Sequence, residues 1–66
     1  MEAHEQRVVA EHLDLDTKLE KLHVFIEDSP LFQSLNKIDQ RLLVDQRGAM
    51  TIYRDILRAR IARFPG

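Results

Sequence analysis

Pro30 separates two long stretches whose apolar residues recur at alternating spacings of three and four, and no helical pattern runs through it. Its ring clashes with the preceding turn and it has no amide hydrogen to give, so a helix reaching it from Glu2 must stop nearby. Each stretch is too long and too regular to be a strand or a loop. The chain is therefore predicted to be all-α: an antiparallel two-helix hairpin with a short helical turn between the helices, spanning residues 1–66 as one domain. The expected bounds are about 2–27 for the first helix, 29–35 for the turn and about 37–63 for the second helix.

In the first stretch Val8, His12, Leu15, Leu19, Leu22 and Ile26 form the seam of an antiparallel bundle or coiled coil, interrupted only by His12. Ser29 suits the N-cap of the turn with Pro30 at its first helical position, and Leu31, Phe32 and Leu35 are placed to close the end of the core. Asn36 caps the second helix, with Asp39 in its first turn. The main face of that helix reads as Leu42, Leu43, Ala49, Met50, Ile56, Leu57 and Phe64, with Gln46, Tyr53 and Arg60 set into the same stripe. Thinner apolar strips run along the backs: Val9, Leu13, Thr17 and Val24 on one helix, and Val44, Gly48, Ile52 and Ala59 on the other.

A hairpin of 66 residues has too little partner surface of its own. Below roughly 70 to 80 residues a single core seldom supplies more than about 3 to 5 kcal/mol. The chain has no Cys and so no disulfide or thiolate metal site. Packing between copies is the remaining route, and a homodimeric four-helix bundle is expected first, with a tetramer or ring as the larger option. Nothing resembles a signal peptide, and no apolar run approaches the ~18 residues of a membrane span.

The net charge of −1 hides a split. Residues 1–35 carry eight acids and three bases, while residues 36–66 carry three acids and seven bases. An acidic helix against a basic one uses that split structurally, so Arg47, Arg54 and Arg58 read as a solvated basic face paired with acids, and no nucleic-acid partner is expected. Glu20 and His23 match the Glu-x-x-His element of di-iron bundles, but they turn away from the seam and the second helix has no Glu; no metal and no cofactor is assigned. His12 and Asp16, four apart, read as a hydrogen-bonded pair. Ser29 and Ser34 sit in the turn with capping roles, and there is no phosphate loop, so the chain is not expected to be an enzyme.

Buried polar groups need partners. With the turn near Pro30, Gln46 falls level with Lys21 and Leu22, Tyr53 with Leu15 and Lys18, and Arg60 with Val8 and Glu11. One reading is packing: Arg60 pairs with Glu11, Tyr53 directs its hydroxyl outward and Gln46 fixes register. The other is a ligand pocket between chains, built from Lys18, Gln46, Tyr53, Arg54, Arg60 and Glu11, in which Tyr53 stacks on a base and a cation meets phosphate.

The run Arg7-Val8-Val9-Ala10-Glu11, followed by Leu15, Lys18-Leu19, Lys21-Leu22 and Phe25-Ile26, then Leu42-Leu43, Gln46, Ala49-Met50, Tyr53, Leu57 and Arg60-Ile61, resembles a family of very short bacteriophage proteins related to a reading frame of a crAss-like phage. The resemblance covers nearly the whole chain. It implies a phage origin and a place in the host bacterial cytoplasm, and carries no activity with it. Small accessory phage proteins often counter host defence, and some are helical assemblies that trap immune nucleotides. By that analogy the expected function is sequestration, without cleavage, of a cyclic dinucleotide or cyclic ADP-ribose-type signal. The rival is a helical module that docks on a host or phage protein and blocks it.

Overall fold

The computed structural model describes residues 1–65. It consists of α1 (Ala3–Asp28), α2 (Pro30–Ser34) and α3 (Lys37–Ala62), with α1 and α3 packed side by side in a rod measuring 47 × 15 × 14 Å. The charge of the first turn suits α1, where Glu5 accepts the Glu2 amide hydrogen at 2.8 Å and is itself buried. Ser29 accepts from the Leu31 amide at 3.2 Å, and Asn36 accepts from the Asp39 amide at 2.9 Å, so each helix after the first begins on a side-chain cap.

The seam of α1 faces α3. Val8, Leu15, Leu19 and Ile26 are buried, and His12 and Leu22 are half-buried. Leu57 of α3 is the single fully enclosed side chain among the described residues, at 0% exposure, and it joins Val8 and Leu15 with Met50, Ile61 and Phe64 packed around them. Toward the turn, Phe32 is buried and meets Phe25 edge-on at 6.1 Å between centroids. Leu35 is half-buried, whereas Leu31 stands exposed and takes no part in the plug expected of it.

The inward face of α3 matches the expected one at Leu43, Met50, Leu57 and Phe64 and differs from it elsewhere. Leu43, Arg47, Met50, Arg54, Leu57, Ile61 and Phe64 are buried or half-buried on the side of α1, while Leu42, Gln46, Ala49, Tyr53, Ile56 and Arg60 are all exposed. The cause lies in the width of the apolar surface. It fills two adjacent stripes of α3, and one neighbouring helix covers only one of them. Turning the helix toward the stripe that contains Arg47 and Arg54 buries their aliphatic stems and brings their charges to the acids of α1. The other stripe is left without a partner in its own chain.

Candidate functional site

Ion pairs join the two helices along one side of the buried seam. Arg54 reaches Asp16 at 3.5 Å, and Arg47 reaches Glu27 and the Nδ1 of His23, both at 3.3 Å. All five residues lie on one flank of the hairpin. Helical spacing puts Glu11 and Lys18 across the seam from Asp16, His23 and Glu27, and puts Gln46, Tyr53 and Arg60 across from Arg47 and Arg54. In an antiparallel pair these second flanks also share a side. The register set by Asp16 with Arg54 brings Lys18 level with Ile52 and Tyr53, and Glu11 level with Ala59 and Arg60.

Five of the six residues marked from sequence therefore occupy one outer face: Glu11, Lys18, Gln46, Tyr53 and Arg60, all exposed. Arg54 stands apart on the opposite flank. The face has an apolar floor in Leu42, 60% exposed, and Ile56, 51% exposed, with Tyr53 at 42% between polar neighbours. Lys18 is held by Asp14 at 3.0 Å along its own helix, and the Gln46 amide points to the Met50 sulfur at 3.9 Å.

Several sequence-based pairings are corrected. Arg60 and Glu11 make no ion pair among the described residues, because the rotation of α3 carries Arg60 out of the seam. Asp16 bonds Arg54 in place of His12, and the Nε2 of His12 is buried without a hydrogen-bond partner. Arg47 and Arg54 do pair with acids, but as seam residues with side chains only 25% exposed. Glu20 and His23 are exposed, as expected of solvated residues, and line a groove of about 680 Å³ between α1 and α3 together with Arg47 and Arg54. No local pattern marks the groove, because an arginine on a helix flank reads as a surface charge and the signal to the contrary comes from Asp16 and Glu27 on the facing helix. Among the described residues no group of three or more His, Cys, Asp or Glu side chains is placed to hold a metal ion.

The family model that matches this chain is Sequestin, over residues 2–63. The chain belongs to the Sequestin family. No curated protein and no solved structure matches it. The name of the Sequestin family is that of a binding protein rather than a catalyst and accords with a sequestering role, which requires a partner to be held. No helix of the described residues is long and apolar enough to cross a membrane.

Proposed function

We propose that this protein is an oligomeric bacteriophage protein that acts in the host cytoplasm against host defence, by sequestering an immune signalling nucleotide of the cyclic dinucleotide or cyclic ADP-ribose type without cleaving it. The observation that carries the reading is the exposed stripe of α3, where Tyr53, Gln46 and Arg60 sit among Leu42, Ala49 and Ile56 with no partner from α1. An apolar helix face of that length calls for another helix. A second copy laid on it encloses Tyr53 and Arg60 between chains, with Lys18 and Glu11 at the rim. A ring to stack on a base and a guanidinium to meet a phosphate are the contacts a nucleotide requires. Membership of a family named for sequestration supports the same conclusion.

Purified protein mixed with a panel of cyclic dinucleotides and ADP-ribose isomers tests it. Thermal stabilisation by one ligand, released intact on denaturation, is the expected result. Ligand breakdown would make the protein an enzyme, and silence across the panel would favour the second reading, a module that blocks a host or phage protein. That second reading is favoured by a separate observation, the exposed Leu13 and Val24 on the back of α1 and Ile52 on α3, none of which belongs to the Tyr53 face.

A further inference from the structure

We infer that the groove between α1 and α3, on the flank opposite Tyr53, is a binding site for a pair of linked phosphates, with Arg47 and Arg54 as its two forks. These residues project from the same side of α3 seven positions apart, about 10.5 Å along the axis at 1.5 Å per residue. Each side chain is only 25% exposed, while Glu27 and Asp16 opposite are 52% and 48% exposed. The cations are embedded and the anions are the more exposed half of each pair.

The arginines are also poorly occupied. Their contacts to Glu27, His23, Asp16 and Asp55 run from 3.3 to 3.6 Å. Charge-assisted hydrogen bonds settle nearer about 2.7–2.9 Å. A guanidinium has five N–H donors, yet among the described residues both arginines donate hydrogen bonds from Nη1 alone, and the buried Nε of Arg54 has no hydrogen-bond acceptor.

The rest of the groove narrows the ligand class. Thr17 gives its hydroxyl proton to the Leu13 carbonyl and Thr51 gives its own to the Arg47 carbonyl, so neither donates into the groove. The donors left are the guanidinium groups, Lys21 and the ring N–H of His23, set beside the carboxylates of Asp16 and Glu20. Such a site takes a ligand made of acceptors. Planar forks match phosphate oxygens in bidentate fashion, and two forks two turns apart suit a diphosphate better than a lone carboxylate. At about 680 Å³ the groove has the volume of a small-molecule site. On binding, Asp16 and Glu27 swing outward and the phosphates take their places.

This inference does not rest on the nucleotide reading, and inorganic pyrophosphate is its probe. Calorimetric titration of the full chain should show pyrophosphate binding, with orthophosphate at least about tenfold weaker because it fills one fork only. Arg47→Gln with Arg54→Gln should abolish the signal, and the exposed Arg41→Gln should leave it intact. Asp16→Asn separates the site from simple ion pairing without deleting a cation. A structural pair predicts lower thermal stability and no change in pyrophosphate affinity, whereas the site predicts tighter binding as Arg54 is freed. No pyrophosphate binding at millimolar concentration, or an affinity that Asp16→Asn does not raise, overturns the inference. Pyrophosphate binding with silence across the nucleotide panel leaves the groove standing and removes the nucleotide reading; nucleotide binding by a chain that takes up no pyrophosphate does the reverse.

Discussion

The side-chain amide of Gln40 binds the main chain of the turn, with its Nε2 3.0 Å from the Phe32 carbonyl oxygen. The same nitrogen lies 3.0 Å from the Leu35 carbonyl and 3.3 Å from that of Gln33, so its two hydrogens are shared among three acceptors. The Phe32 carbonyl also accepts the Leu35 amide hydrogen at 3.1 Å, and the other two lie at and just past the end of α2, where helical partners run out. Gln40→Ala should cost about 1–3 kcal/mol, the penalty for leaving part-buried polar groups unmet. Urea unfolding at fixed protein concentration measures it, and a midpoint equal to the parent's would show that water serves these carbonyls as well.

The caps on either side of the turn should act independently of that clamp. Asn36→Ala should destabilise by about 1 kcal/mol. Pro30→Ala should not fuse the helices into one rod, because Asn36, Gln40 and the buried Phe32 still define the connection. Small-angle scattering is the check: a doubling of the 47 Å length would mean that Pro30 alone makes the bend.

Assembly should depend on the outer stripe of α3. Leu42→Glu or Ile56→Glu is expected to leave helix content largely unchanged at high protein concentration while shifting light scattering from at least a dimer to a monomer. Leu19→Asp, at a buried seam position, should unfold the hairpin instead. A parent chain that is folded and monomeric at micromolar concentration contradicts the proposed assembly.

Gly48 offers a gain in stability. A Cβ built there meets nothing within 4 Å, and the residue is exposed in mid-helix, so Gly48→Ala should stabilise by about 1 kcal/mol through helix propensity. Thermal melting tests this. A loss would place Gly48 against a neighbouring copy, where the bare backbone is needed for close approach.

Tyr53 and Arg60 should be dispensable for folding. Neither is buried, and Arg60 has no ion pair with Glu11 to lose, so Tyr53→Phe and Arg60→Ala should leave melting within about 0.5 kcal/mol of the parent, as is usual for surface changes. On the proposed function Arg60→Ala and Lys18→Ala abolish nucleotide binding. Full antagonism of host defence in those variants, with loss in Leu13→Glu, would move function to the back of α1.

The chain shows one helix more clearly than the other. In α1 the stripe from Val8 through Leu15, Leu19 and Leu22 to Ile26 is far denser in aliphatic residues than the thin strip of Val9, Leu13 and Val24 behind it, so the spacing names the inward face. In α3 they fill two stripes, and periodicity does not rank Leu42 and Ile56 against Met50 and Ile61. The choice is made by the long stems of Arg47 and Arg54 and by acids on another helix, which no local pattern contains. The register is readable from the turn, and Tyr53 does fall level with Lys18; the rotation is not, and Arg60 turns out of the seam away from Glu11. Gln40 was invisible for a similar reason. Its partners are main-chain carbonyls at a helix end, and any polar residue could have stood there.

The contacts that join the two helices are nested, from Gln40 with Phe32 at the closed end to Phe64 with His4 at the open end, where ring centroids are 6.5 Å apart. Each pair farther from the turn closes a longer loop and so costs more chain entropy to form before its neighbours are in place. The hairpin should close like a zipper from residue 32 outward, and its amide protons should exchange fastest near both termini. The part of the molecule that opens most often is then the end where Arg60 lies, and the groove between Asp16 and Arg54 sits midway along the gradient.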